Sequence, residues 1–321
     1  MEIRPGLHRI EAPLGDRFIA LHLLIGSEGA LLVDTGIRES ITETLLPYLA
    51  DNGIDRRLVR WAINTHCDYD HTGGNGALKD AIPDVELLVH ELDRDLTENV
   101  QKLIDARYGE FRESDGFDDP PETTAYLRSV ADLVPVDRVV TGGERIDLGG
   151  RSVQILHVPG HSPGHIAVHD PANAALVIGD ATLGATVPIA DGRPAFPPTY
   201  RDVNPYLDSI GMLRSLDASL LLTAHYPVYE GDDVTAFLDE SVAYTEQIDS
   251  VLAEQLATAG RPATTLELIR AAGERLGPWT PEALDYAIFP VTGHLERMER
   301  RGVVRSQTID GLRHWSSLDA R

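Results

Sequence analysis

Apolar positions along this chain follow two rhythms. Up to about residue 231 they form short runs closed by glycine, proline or polar clusters, the mark of β-structure; beyond it they recur at helical spacing. Residues 18–24 are largely apolar, Gly26-Ser27-Glu28-Gly29 offers a turn, and Ala30–Val33 runs into Asp34-Thr35-Gly36, so the first 36 residues predict strands. Residues 40–49 predict an amphipathic helix, Val59–Ile63 and 85–89 strands, and 75–80 the start of a helix between them. Further strands are predicted at Arg138–Val140, 145–148, 152–158, 166–168, 175–178 and Leu220–Thr223. Between the two halves of this series, residues 91–131 change to a polar helix and a loop, Glu113 to Pro121, and predict an insertion beside the β-rich core, placed to cover a substrate site or to serve as a solvated connector.

The helical rhythm begins with a long helix at 234–252 and breaks at Arg261-Pro262. Short helices at 265–275, 281–287 and 291–301 follow, then a hairpin from 302–305 and 311–315. This divides the chain into a catalytic domain at 1–245 and a helical, winged-helix-like region at 246–321. The arginines of that region (Arg297, Arg300, Arg301, Arg305) sit among Glu296, Glu299 and Asp310, so packing or homodimer formation fits it better than DNA binding.

Charge narrows the partners. With 28 basic and 51 acidic residues the formal net charge is -23, which repels nucleic acid over most of the surface. No run approaches the ~18 apolar residues of a membrane span. The first residues lack the apolar core of a signal peptide, and a cytoplasmic protein is expected. The single cysteine, Cys67, excludes an intrachain disulfide and reads as a loop thiol rather than a nucleophile.

The candidate chemistry lies just beyond the ends of the β runs. Residues 59–63 lead into Thr65-His66-Cys67-Asp68-Tyr69-Asp70-His71-Thr72-Gly73-Gly74, which packs two imidazoles and two carboxylates into six residues. His161 follows the run at 152–158, Asp180 the run at 175–178, and His225 the run at 220–223. Imidazoles and carboxylates are the donor types of zinc, manganese and iron sites, and seven donors (His66, Asp68, Asp70, His71, His161, Asp180, His225) suffice for two ions. His90, His157, His165 and His169, taken singly, read as ordinary core or surface histidines.

From about residue 5 to 245 the chain resembles the metallo-β-lactamase-fold hydrolase superfamily. The resemblance rests on Val33-Asp34-Thr35-Gly36, on His66 through His71, on Pro159-Gly160-His161-Ser162-Pro163-Gly164-His165, on Ile178-Gly179-Asp180 and on Ala224-His225-Tyr226-Pro227. The region from about 260 more weakly resembles the extension of the β-lactamase-like-protein-2 subgroup. The implied fold is an α+β, αββα sandwich of two mostly antiparallel sheets with helices on both outer sides. The implied site has two divalent ions: one held by His66, Asp68 and His161, one by Asp70, His71 and His225, with Asp180 bridging and Asp34 supporting the loop.

One position departs from the family's His-X-His-X-Asp-His signature: Asp68 stands where the second histidine belongs. A carboxylate hardens the site toward manganese or iron, with zinc still open. The related flavodiiron proteins, which carry iron, also have a carboxylate there. The implied reaction is hydrolysis of an ester, thioester or lactone of a small molecule by metal-bound hydroxide. Asp70 is then the proton acceptor and Tyr226 a hydroxyl for the oxyanion. Tyr69, Tyr229, His165 and Arg193 are further candidates for site contacts, and residues 194–200 a candidate pocket wall. Alternative readings are a phosphodiesterase or ribonuclease, an iron-dependent oxidoreductase, and an inactive, metal-stabilised interaction module.

Overall fold

Two sheets face each other in a computed structural model that describes residues 1–318. The first runs in spatial order β1 (Glu2–Arg4), β2 (Leu7–Leu14), β3 (Arg17–Ile25), β4 (Ala30–Val33), β5 (Val59–Ile63), β6 (Glu86–His90) and β7 (Arg138–Val140). The second is built from β8 (Arg145–Asp147), β9 (Ser152–His157), β10 (Ile166–Asp170) and β11 (Ala175–Gly179). A small ribbon, β12 (Val187–Pro188) with β13 (Pro194–Phe196), intervenes before β14 (Leu220–Thr223) and β15 (Tyr229–Glu230), and the spatial order is β15-β14-β11-β10-β9-β8.

The expected mostly antiparallel pairing holds for the second sheet, where only β11 and β14 run parallel. It does not hold for the first. There β4, β5, β6 and β7 are mutually parallel, because crossovers carrying helices join them in place of hairpin turns.

Residue alternation explains the layering. Leu31, Val33, Ile63 and Leu88 of the first sheet meet Val153, Ile155, Val177 and Leu222 of the second in a central apolar layer. The alternate residues point outward. Leu21, Leu23 and Leu32 pack under Ile41, Leu45 and Leu78 of the helices over the first sheet, while Leu176, Ile178 and Leu221 face the helices over the second. Runs such as Ala30–Val33 are therefore uniformly apolar because both of their faces are covered.

The C-terminal region belongs to that second outer layer. The helix Asp232–Thr258 passes without a break through residue 245, so the expected boundary falls inside an element. Thr265–Ala272, Pro281–Leu284 and Ile288–Arg300 follow, with a three-stranded sheet of β16 (Ala263–Thr264), β17 (Val304–Ile309) and β18 (Leu312–Ser317). Trp315 and Leu295 lie in the same apolar cluster as Ile178 and Leu221. No helix among the described residues is long and apolar enough to cross a membrane.

Polar ties fix this region to the insertion. Asp115, buried, accepts from Thr265 Oγ1 at 2.6 Å and from Arg313 Nη2 at 2.7 Å. Asp115→Ala takes the acceptor of Thr265 and one of the two carboxylates of Arg313, which keeps Glu296, and should cost about 2 kcal/mol in chemical denaturation. A loss below about 1 kcal/mol would show that the tie contributes little.

Candidate metal centre

Each candidate ligand leaves the end of a strand or stands in the loop beyond it. β5 delivers residues 64–68 and the short helix Tyr69–Thr72; β9 leads to His161, β11 to Asp180 and β14 to His225. Among the described residues, three groupings bring ligand atoms within 4.8 Å of one another: His66 with His71 and Asp180, His66 with Asp68 and His161, and Asp70 with His71 and His225. The seven residues expected from the sequence thus lie side by side. His90, His157, His165 and His169 join none of these groupings.

The backs of the imidazoles are fixed by acceptors. Asp34 accepts from Thr65 N at 2.7 Å and Thr65 Oγ1 at 2.9 Å, and His71 Nδ1 lies 2.9 Å from its Oδ2. A carboxylate only accepts, so His71 carries its proton on Nδ1 and turns Nε2 inward. His225 Nδ1 faces the Phe18 carbonyl at 2.9 Å, and His66 Nδ1 faces Thr65 Oγ1 at 3.0 Å. Because Thr65 donates its hydroxyl proton to Asp34, it accepts from His66 in the same way. Asp34 holds a left-handed backbone, φ 62°, a conformation that aspartate tolerates better than most side chains. Gly179, also at positive φ, is required where it stands: a Cβ would meet Thr65 Oγ1 at 2.5 Å.

The inward atoms are spaced for a common ion. His71 Nε2 and Asp180 Oδ2 are 3.6 Å apart, His225 Nε2 and Asp70 Oδ2 3.5 Å, and His225 Nε2 and Asp180 Oδ2 3.5 Å. These separations exceed hydrogen-bond lengths but lie near the ~3.3 Å edge of a tetrahedron with bonds of about 2 Å. His66 Nε2, His71 Nε2 and Asp180 Oδ1 are buried without a hydrogen-bond partner. Buried polar atoms left open are costly, and a cation among them satisfies all three. The donor set therefore fits a divalent metal: Asp70, His71, Asp180 and His225 form the second position, and His66 Nε2 approaches His71 and Asp180 from the side of the first.

The first position is different. Asp68 stands at the N-cap of Tyr69–Thr72, yet its side chain caps nothing. Its Oδ1 accepts from Arg107 Nε at 2.8 Å and its Oδ2 from Arg107 Nη2 at 3.0 Å. Burial opposes charge on Asp68, but the Arg107 guanidinium holds its carboxyl well below the usual carboxylate range. Arg107 arrives from Leu103–Tyr108, a turn wound wider than an α-helix, of the kind that often marks functional sites. Sequence reasoning missed Arg107; the available signal was that a buried Asp68 demands a counterion. It missed Asp93 too, which accepts from Ser162 Oγ at 2.6 Å and Gly164 N at 2.7 Å and so ties the His161 loop to the insertion.

A cavity of about 200 Å³ opens over the ligands, walled by Arg17, Tyr69, Tyr108, Phe196, Thr199, Tyr286 and Phe289. The stretch 194–200 contributes Phe196 and Thr199 to this wall, and the C-terminal region contributes Tyr286 and Phe289. Tyr226 is not in it: its hydroxyl donates to the Leu183 carbonyl and its ring packs against Phe237, so the oxyanion role expected of it is not met. Arg193 pairs with Asp191 on an exposed turn and Tyr229 stacks on Phe237. His165 stacks on His66 at 4.7 Å, and its Nε2 accepts from Asp180 N at 3.2 Å, a positioning contact. Cys67 is buried, and burial pushes its thiol up, away from the reactive thiolate.

Residues 14–225 match the family model described as the metallo-beta-lactamase superfamily. The chain belongs to the metallo-beta-lactamase superfamily. It is 29% identical over 175 residues to a hydroxyacylglutathione hydrolase of Thermosynechococcus vestitus, covering 54% of this chain and 50% of that protein. It is 27% identical over 180 residues to the human acyl-coenzyme A thioesterase MBLAC2, covering 51% and 58%. It is 22% identical over 227 residues to a beta-lactamase-like protein 2 homolog of Caenorhabditis elegans, covering 70% and 62%. The chain thus spans about half the length of the first of these relatives and under two thirds of the others. The fold extends further. A metallo-beta-lactamase family protein from Thermus thermophilus superposes over 98% of this chain and 99% of its own, with a TM-score of 0.74 and 21% identity. A beta-lactamase domain protein from Burkholderia ambifaria superposes over 99% and 93%, with a TM-score of 0.76 and 21% identity.

Proposed function

We propose that this superfamily member is a metal-dependent hydrolase that cleaves a small-molecule thioester, with esters and lactones as the nearest further substrates. The observation that carries this reading is the set of unpartnered donor atoms, His66 Nε2, His71 Nε2 and Asp180 Oδ1, grouped behind a cavity that Asp70, Asp180 and His225 line. The hydroxyacylglutathione hydrolase and acyl-coenzyme A thioesterase names of the distant relatives supply the substrate class. The net charge of -23 disfavours a nucleic-acid substrate.

Asp70, His71, Asp180 and His225 would hold a divalent ion, which when bound would acidify a water and polarise an acyl oxygen. Asp70, on the cavity wall, orients the nucleophile and takes its proton. Tyr108 takes the role expected of Tyr226. Its hydroxyl oxygen lies 3.3 Å from Tyr69 N, from which it accepts, leaving its own proton to point at a substrate oxygen. Burial, together with Asp68 and Asp70, raises the Tyr108 phenol well above its usual range and keeps it a donor. Phe196, Tyr286 and Phe289 present an apolar wall for an acyl chain or ring.

Metal-loaded protein is expected to release thiol from members of a thioester panel, followed with a chromogenic thiol reagent. No turnover of any thioester, ester or lactone would end the proposal. Tyr108→Phe should lower kcat by roughly 10²-fold with KM little changed. Tyr226→Phe should act on stability instead, by about 1 kcal/mol, through the lost bond to Leu183. The reverse ranking in kcat would return the oxyanion role to Tyr226.

A further inference from the structure

The two halves of the centre are built unequally. At the second position the facing atoms stand 3.5–3.6 Å apart. At the first, both Asp68 oxygens accept from Arg107, whose Nη2 also lies 3.2 Å from His161 Nε2, and that nitrogen is 3.0 Å from Asp68 Oδ2. Two of the three donors that a metal would need there, Asp68 and His161, already face a guanidinium, and the third, His66 Nε2, stands 3.4 Å from Asp68 Oδ2. Arg107 is buried, and a guanidinium keeps its charge under all ordinary conditions.

Three separate parts of the chain converge on this arrangement. Asp68 comes from the metal loop. Arg107 comes from the wide-wound turn of the insertion. Phe289, from the C-terminal region, lies under the guanidinium with its ring centroid 5.0 Å from Arg107 Cζ, and Phe111 meets Phe289 edge-on at 5.0 Å. Cation–π contact and a planar, bidentate carboxylate pair are the two contacts for which arginine differs most from lysine. The charges also balance locally: a carboxylate where the superfamily signature has a neutral histidine is matched by one fixed cation, without a second ion.

We infer that Arg107 takes the place of a first metal ion, so that this chain holds a single metal at Asp70, His71, Asp180 and His225. His66 Nε2, unpartnered and grouped with His71 and Asp180, sits at the edge of that position. Arg107 Nη1 makes no hydrogen bond among the described residues, and Arg107 lines the cavity. The guanidinium therefore also offers an N–H to a substrate oxygen, on the side where a first ion would otherwise lie.

The inference rests on the metal-binding part of the proposed function, but its test does not read activity, so it can fail while hydrolysis stands. Protein stripped by chelator is reloaded with excess zinc or, separately, manganese, passed through gel filtration, and its metal counted by elemental mass spectrometry. Wild type is expected to hold about one metal per chain. His161→Ala should still hold about one, and His225→Ala should lose it. The double variant Arg107→Met/Asp68→His, which removes the guanidinium and restores the signature histidine, should hold about two. A wild-type value near two or near zero overturns the inference. So does loss of the metal in His161→Ala with retention in His225→Ala. If the double variant does not fold, wild type and the two histidine variants still decide between these outcomes.

Discussion

Asp180→Ala is expected to lower kcat/KM by on the order of 10³-fold while leaving a folded protein. The Asp180 carboxylate faces His71 and His225 and has an oxygen with no other partner, so removing it takes away a donor to the ion and little else. The metal-free variant should melt somewhat lower than metal-free wild type, because His71 and His225 lose a carboxylate that they hold charged. Added zinc or manganese should raise the melting temperature of wild type and much less that of the variant, since a ligand stabilises only what it binds. Equal metal-induced shifts in the two proteins would place the ion elsewhere.

Asp34→Asn tests how the ligands are aimed. Asparagine tolerates the left-handed backbone at φ 62°, and its carbonyl can still accept from Thr65 N. Its amide, however, puts a donor against His71 Nδ1. The histidine then carries its proton on Nε2, the atom that has to bind the metal. Metal affinity is expected to fall by roughly 10–100-fold, with far less loss of metal-free stability. Asp34→Ala would remove all three contacts and should cost stability as well, about 3 kcal/mol. Unchanged affinity in Asp34→Asn would mean that His71 is not oriented through Asp34. Titration of metal into chelator-treated protein, followed calorimetrically, separates the two effects.

Much of the fold and of the site was legible because burial on both faces writes itself into the sequence. Ala30–Val33, 175–178 and 220–222 are uninterrupted apolar runs, and a ligand stands just beyond the end of two of them. The helix over the first sheet and the long C-terminal helix were legible from their spacing, though Asp232–Thr258 outruns the expected 234–252 at both ends and crosses the expected domain boundary. Strand direction in the first sheet was not legible, because apolar alternation reports which face is buried and not which way the neighbouring strand runs. Arg107, Tyr108 and Asp93 were hidden for a different reason. They lie in a polar insertion whose pattern matches that of a solvated helix, and only the folded chain shows that Arg107 and Asp93 turn inward to Asp68 and Ser162. Tyr226 shows the converse error. Adjacency to His225 in sequence put it near the metal, but the backbone turns its side chain into the core against Phe237.

The central claim is that this constellation is a working, metal-dependent hydrolytic site. Its most direct test is a titration of zinc or manganese into chelator-stripped protein, with thiol release from a thioester panel read at each point. Hydrolysis should be absent without metal, rise with each addition and level off near about one metal per chain. Hydrolysis that is undiminished after stripping, or absent at every metal loading, would contradict the account.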